Sequence, residues 1–313
     1  MSEFDLIRRH FTRATPGAVL GVGDDAALLQ PTAGMVLAVS TDMLVSGTHF
    51  FPDVDPFLLG HKTLAVNLSD LAAMGAMPRW ATLAVSLPAA DEAWLERFSA
   101  GFFALAQRHG VDLVGGDTTR GPLNLCVTIF GEVPPQQALR RSGAQPGDDV
   151  WVSGTLGDAA LALAHLQGHI ALSGSDLAAC AEHLHRPQPR IELGLALRGV
   201  ANSAIDVSDG LLADLGHILE CSGAGAEIML DALPLSQVLR SRSQQRLALA
   251  GGDDYELCFT VPAARAAEVP AIAERLGLPL TRIGKIVAGR GCIVQDANGN
   301  PLHIETEGYD HFR

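Results

Sequence analysis

Short acidic strings recur along this 313-residue chain, each beside small or hydroxylated residues: GVGDDA (21–26), STD (40–42), NLSD (67–70), GGDTTR (115–120) and IDVSDG (205–210). Asp outnumbers Glu by 22 to 13, so most of the acid is carried on the shorter side chain. A carboxylate held close to a turn is a hard oxygen donor. It suits Mg2+, which takes one or two carboxylates, keeps several waters and shares the rest of its shell with phosphate oxygens. Glycine beside the acid lets the backbone approach an anion, and hydroxyls add neutral oxygen ligands.

GVGDDA fits the G-x-G-x-x-A dinucleotide pattern, with Asp42 at about the spacing of a ribose-binding acid. It is not such a site. Asp24 and Asp25 would stand against the pyrophosphate, where like charges ~4 Å apart repel by about 4 kcal/mol at an effective dielectric of ~20. The preceding ATPGAVL, with Pro16 and Gly17, is also a poor strand. The same two acids make sense when phosphate arrives as a magnesium complex.

STD ends an apolar strand and is expected to form a short loop offering two hydroxyls and a carboxylate; the lesser alternative is an ordinary helix cap or Asx-turn. Asp70 falls in an apolar helical segment, where a buried carboxylate needs a partner and a cation serves, though a surface Asp fits the string as well. GGDTTR predicts a nest of backbone N–H groups for phosphate, with Asp117 as metal ligand. Asp206 and Asp209 flank Ser208 at a strand-to-helix junction opened by Gly210, where a helix N-terminus adds affinity for anions.

What is missing narrows the chemistry. There is no Walker A string, Lys occurs only at Lys62 and Lys285, and the protein-kinase motifs are absent. Phosphoryl transfer would rely on metal ions and Arg, with Arg120 and Arg141 as candidates. The formal net charge of −13 argues against nucleic acid or an anionic membrane as partner. Five cysteines without a CxxC pair predict free thiols in a reducing, cytoplasmic setting. His49, in SGTHFFPD, is either a packing residue or a substrate contact.

Strands and helices must position these groups. MVLAVS (35–40), WATLAVSL (80–87) and LNLCVTIFGEV (123–133) alternate as strands, while DPFLLGHKTLAVNLSDLAAMGA and DEAWLERFSAGFFALAQRHG carry helical spacing, the second opening at Asp91 and stopping at Gly110. The Pro-, Gly- and charge-rich stretch 134–149 reads as a linker. Two domains follow, 1–140 with a mixed sheet and 141–313, each of α/β composition.

The strings GVGDDAALL, STDMLVSGTHF, LAVNLSDLAAMGA, GGDTTRG, RSGAQPGD, AIDVSDGL, GGDDYELCF and GYDHF together resemble the thiamine-monophosphate kinase family, in that family's order over residues 5–312. The family belongs with aminoimidazole ribonucleotide synthetase and selenophosphate synthetase. The resemblance implies their two-domain mixed α/β fold, with 1–140 as an ATP- and Mg-binding domain and 141–313 as a C-terminal domain completing the active site, and ATP-dependent phosphorylation of thiamine monophosphate to thiamine diphosphate by a homodimer using several Mg2+ ions. It assigns Asp25, Ser40, Thr41, Asp42, Asp70, Asp117, Asp206 and Asp209 to metal; Asp25, Asp42, Asp209 and Arg141 are the residues expected to carry the transfer. Gly116, Arg141 and Ser208 correspond to ATP contacts, together with Ser40, Thr41 and Asp117, and His49, Asp253 and Tyr309 to contacts with the thiamine substrate. The family's usual Glu in GGEDYEL is Asp253 here, one methylene shorter, with Asp254 keeping the neighbouring carboxylate. Two alternatives are an aminoimidazole-synthetase-like activation of an amide oxygen and a non-catalytic cation- or nucleotide-binding module; EF-hand spacing is absent.

Overall fold

A computed structural model describes residues 2–302, which divide into one unit of residues 2–71 and 76–136 and a second of residues 72–75 and 137–302. The first unit begins with a short helix α1 (Glu3–Leu6) continued by a π-helical turn, followed by β1 (Val36–Val45), α2 (Pro56–Ala73), β2 (Met77–Leu87), α3 (Glu92–His109), β3 (Asp112–Arg120) and β4 (Asn124–Val133). Its sheet has the order β1-β4-β2-β3, antiparallel except for β2 and β3, which α3 joins as a parallel crossover.

Helix α2 starts at Pro56, a residue suited to a first turn, and the Asp55 carboxylate accepts the Phe57 N–H at 2.8 Å. Helix α3 opens and stops where its caps predict: the Asp91 carboxylate accepts the Trp94 N–H, and Gly110 closes the last turn. The two helices meet through glycines. A Cβ on Gly60 would lie 2.0 Å from the Phe98 carbonyl oxygen, and one on Gly101 would lie 1.9 Å from that of Phe57. Between them Leu64, Leu68, Leu71, Leu95, Phe98 and Phe102 are buried with Leu83, Val85, Leu125, Val127 and Ile129 of the sheet.

Two strings expected as loops are strand instead. STD lies in the middle of β1, which runs on to Val45, and GGDTTR lies within β3. Ladder pairing decides both: Ser40, Thr41 and Asp42 pair with Ile129, Thr128 and Val127, while residues 115–120 pair with Thr82–Leu87.

The second unit contains β5 (Asp149–Ser153), α4 (Asp158–Leu166), α5 (Gly174–His185), α6 (Ile191–Leu197), β6 (Ser203–Val207), α7 (Leu211–Ser222), β7 (Gly225–Met229), α8 (Gln237–Ser241), α9 (Gln245–Ala250), β8 (Glu256–Val261), α10 (Glu268–Leu276), β9 (Leu280–Val287), β10 (Gly291–Gln295) and β11 (Pro301–Leu302). Its mixed sheet runs β11-β10-β7-β9-β5-β8-β6. Val150, Val152, Ile205, Val207, Leu211, Leu215, Ile218 and Ile228 belong to its apolar core, so β6 and the helix that follows it are anchored on both sides of the IDVSDG turn. Among the described residues no helix is long and apolar enough to cross a membrane.

Candidate active site

In the first unit the period-2 alternation of β1 sorts its functional side chains onto two faces. Ser40 and Asp42 share the face towards α2. The Ser40 hydroxyl donates to the Asp70 carboxylate, and the Asp42 N–H donates to Asn67 Oδ1 at 3.1 Å. Asn67 is itself fixed: its side-chain amide donates to the Thr63 carbonyl at 3.1 Å, and the Thr63 hydroxyl donates to that of Leu59 at 2.7 Å. Asp70 thus has the partner that its apolar surroundings require, in the form of a hydroxyl.

Thr41 faces the other way, its hydroxyl oxygen 2.9 Å from that of Thr128. Register carries Asp117 to the same side, since Met43, Cys126, Ala84 and Asp117 form one rung across the four strands. Asp117 and Asp25 line a common cavity of about 650 Å3 with Asp24, Gly116 and Thr118. Gly116 has φ +151°, and a Cβ there would sit 1.9 Å from the Leu83 carbonyl oxygen, so only glycine lets β3 pass β2 this closely. Ser40, Asp42 and Asp70 thus gather on one face of the sheet, whereas Asp117 belongs to the other, with Asp25 lining the same cavity as Asp117. Arg120, exposed, ends β3.

His49 follows β1, and its Nδ1 accepts the Val45 N–H at 2.9 Å. That bond makes Nδ1 the acceptor, so the neutral ring carries its hydrogen on Nε2 and presents a donor there.

In the second unit Asp206 is buried at the end of β6, and the turn after it is held from below. Asp214, buried on α7, accepts the N–H groups of Ser208, Asp209 and Gly210 at 3.0, 3.1 and 3.1 Å, all on Oδ2. Burial pushes the Asp214 carboxyl up to about 7 against the pull of these bonds, and the Asp209 charge adds to the rise. The N–H groups of the turn that leads into α7 are thus taken by the chain's own carboxylate.

The GGDDYEL turn lies alongside. The Asp253 N–H donates to the Ser208 carbonyl and the Tyr255 N–H to that of Val207, both at 2.8 Å. Asp253 and Tyr255 adopt left-handed φ of +69° and +50°, a conformation that side-chain-bearing residues keep only where the surroundings enforce it. Between them Asp254 is buried, and both its oxygens accept the Gly157 N–H at 2.9 Å. Burial holds its carboxyl well above the usual carboxylate range, with Glu256, Asp158 and Asp253 reinforcing the shift. Glu256 is gripped by two Arg190 nitrogens, Nε and Nη2, and by the Ser153 hydroxyl. Arg141 is exposed on a loop whose Gly143 and Ala144 N–H groups both donate to the Ser222 hydroxyl at 3.2 Å. Tyr309 lies outside the described residues.

Sequence reasoning passed over Asn67, Asp214 and Asp254. The available signal for Asp214 was an acid in the first turn of a helix behind a glycine; Asp254 was visible only as a neighbour of Asp253. Among the described residues no three His, Cys, Asp or Glu side chains converge to hold an ion by themselves. The donors present still fit Mg2+: they are all oxygen, and in the Ser40–Asp70 contact two of them already meet. An ion there would take one or two carboxylates and a hydroxyl, with phosphate and water filling its shell.

The chain resembles known proteins over nearly its whole length. The AIR synthase related protein, N-terminal domain, matches residues 23–133, and the AIR synthase related protein, C-terminal domain, matches residues 145–297. Thiamine-monophosphate kinase of Escherichia coli (strain K12) is 50% identical over 320 aligned positions covering 99% of this chain and 98% of that protein. The crystal structure of thiamine-monophosphate kinase from Stenotrophomonas maltophilia K279a is 52% identical with a TM-score of 0.85, covering 96% of each chain. A complex of AaThiL with AMPPCP and TMP is 32% identical with a TM-score of 0.80, covering 99% of this chain and 96% of that one. With full-length identity at this level and both domains matched in order, the chain belongs to the thiamine-monophosphate kinase family of enzymes.

Proposed function

We propose that this enzyme transfers the γ-phosphoryl group of ATP directly to the phosphate of thiamine monophosphate, yielding thiamine diphosphate and ADP, with several Mg2+ ions bound. The observation that carries the reading is the set of oxygen donors that β1 and α2 bring together, Ser40, Asp42 and Asp70, in a chain with no P-loop lysine. The relative solved with AMPPCP and TMP supports the same pair of substrates.

When bound, Mg2+ supplies the positive charge that two polyanionic reactants need in order to approach and that the transferring group needs in flight. Ser40, Asp42 and Asp70 would hold it on one face of the first sheet, Thr41 and Asp117 on the other, Asp25 beside the cavity it shares with Asp117, and Asp206 and Asp209 in the second unit. Gly116, Arg141 and Ser208 contact ATP in this proposal. The exposed Arg141 guanidinium would offer charge without a metal's geometry. His49, Asp253 and Tyr309 contact the thiamine substrate.

The acceptor phosphate is already ionised at neutral pH, so the chain needs no strong general base. His49 fits a donor role better than a base role, because Nδ1 is engaged by Val45 and Nε2 carries the hydrogen. Ser40 gives its hydrogen to a carboxylate and has no His in its own motif, which supports a ligand role over a covalent nucleophile. Homodimerisation is part of the proposal. Leu37, Val39 and Met43 alternate along β1 as an apolar yet exposed row, which supports an association surface there.

Incubating the pure protein with MgATP and thiamine monophosphate should give thiamine diphosphate, identified by chromatography. Formation of ADP and free phosphate alone would overturn the reading. With chirally labelled γ-phosphate, one in-line displacement inverts configuration at phosphorus, and retention would overturn direct transfer.

A further inference from the structure

We propose that Asp214 is a positioning residue, holding the turn that carries Ser208 and Asp209 and, through that turn, the loop that carries Asp253. The inference rests on the reading that Asp206, Ser208 and Asp209 serve Mg2+ and ATP and that Asp253 serves thiamine monophosphate.

Three successive N–H groups, from Ser208, Asp209 and Gly210, converge on one oxygen of one buried side chain at 3.0 to 3.1 Å. Without that oxygen the turn would have three donors pointing inward with nothing to accept them, and the backbone would have to rearrange to find partners. The Asp214 backbone is fixed independently, its N–H donating to the Gly210 carbonyl at 3.0 Å at the start of α7. The clamp therefore ties a helix seated in the apolar core, by Leu211, Leu215 and Ile218, to a turn that has no ladder partner of its own.

The effect passes one step further. The Ser208 carbonyl, fixed by the same turn, accepts the Asp253 N–H, and the adjacent Val207 carbonyl accepts that of Tyr255. Through these two bonds the left-handed residues of the GGDDYEL turn are joined to β6 and the turn after it. Loosening 208–210 thus releases both the metal- and nucleotide-bearing turn and the substrate-bearing loop. A side-chain amide oxygen can accept the same three bonds, so the geometry requires an acceptor and not a charge. That separates a positioning role from metal binding or proton transfer, each of which needs the carboxylate itself.

The test compares the full-length wild type with Asp214→Asn and Asp214→Ala. Asp214→Asn should keep kcat/KM within roughly threefold, while Asp214→Ala should lower it by roughly thirtyfold or more and raise both the half-saturating Mg2+ concentration and the KM for thiamine monophosphate. Amide hydrogen exchange should leave residues 208–210 and 253 protected in the wild type and in Asp214→Asn, and exposed in Asp214→Ala. Equal impairment of Asn and Ala would overturn the proposal, as would an Ala variant that loses melting temperature alone while its Mg2+ and substrate dependence stay unchanged. Should Asp214→Ala fail to fold, Asp214→Asn decides: protected amides with near-normal kinetics support the clamp, and loss of either overturns it. A wild-type protein that makes no thiamine diphosphate would sink the functional reading, while the exchange data would still decide the clamp.

Discussion

Ser40, Asp42 and Asp70 of the first unit take their places from strand alternation and one helix, whereas Ser208, Asp209 and Asp253 of the second sit on turns tied down by the buried carboxylates Asp214 and Asp254. A strand keeps its course when one side chain is changed, because its ladder bonds are made by the backbone. A turn held by a few buried polar bonds has no such reserve, and the groups on it move together when a bond is lost. Substitutions in the first unit should therefore act on single ligands, and those beneath the second unit's turns on several at once.

The largest expected effect lies in both regions and sets the baseline. Asp42→Asn and Asp209→Asn each keep the shape and remove the charge, so turnover should fall at least ~10²-fold, about 2.7 kcal/mol of transition-state stabilisation. Raised Mg2+ should recover part of the rate in each. A defect that followed pH and ignored metal would break the assignment and make the residue a base.

Coupling between neighbours sharpens the contrast inside the first unit. Ser40→Ala and Thr41→Val should each cost roughly tenfold in kcat/KM, but in an Asp70→Asn background only Thr41→Val should retain its full cost. The Ser40 hydroxyl donates to Asp70 and forms one unit with it, whereas Thr41 meets Thr128 on the opposite face. Equal additivity for both would show that alternation along β1 does not govern function.

Asp254 offers a pH test of the second unit. Its folded-state carboxyl is held above the ordinary range by burial, so between the unfolded and folded pKa values the native state keeps a proton that the unfolded chain has lost. The contribution is full at low pH and is lost as pH rises through the folded value, with a slope of up to about 1.4 kcal/mol per pH unit. Asp254→Asn can still accept the Gly157 N–H and has no proton to lose, so the variant should gain on the wild type as pH rises. Parallel unfolding midpoints from pH 5 to 8 would mean that Asp254 is not held protonated.

Much of this was legible in the sequence because it rests on local chemistry. The caps at Asp91 and Gly110, the apolar run around Asp70 and the strand-to-helix turn at Asp206–Gly210 are each decided by residues close in the chain. STD was not legible as strand: hydroxyls and an acid after an apolar run look like its end, and only pairing with Thr128 and its neighbours carries the strand through. The same pairing separates Thr41 and Asp117 from Ser40 and Asp42, a division that a list of acidic motifs cannot contain. Asp214 and Asp254 were hidden for the opposite reason, since an acid on a helix or beside another acid reads as solvated until the tertiary fold buries it under backbone N–H groups.

The smallest expected effect concerns Asp253, the position where the resemblance implies a Glu. Asp253 stands at φ +69°, a left-handed position that a short carboxylate side chain tolerates better than a longer one. Asp253→Glu restores the usual reach towards the thiamine substrate but asks a longer side chain to accept that backbone, at a cost in stability of up to about 1 kcal/mol. Reach should matter more to binding than to chemistry, because Asp253 is proposed to touch substrate away from the transferred group. The KM for thiamine monophosphate should then fall by roughly threefold, with kcat and the KM for MgATP unchanged. The direction follows from the fixed backbone: the Ser208 carbonyl sets the position of the Asp253 N–H, so the loop cannot slide forward to make up the missing methylene. An unchanged KM would mean that the loop, or a bridging water, already closes the gap. A parallel change in the KM for MgATP would instead place residue 253 in service of both reactants, and the division of labour between the Ser208 turn and the Asp253 loop would have to be given up.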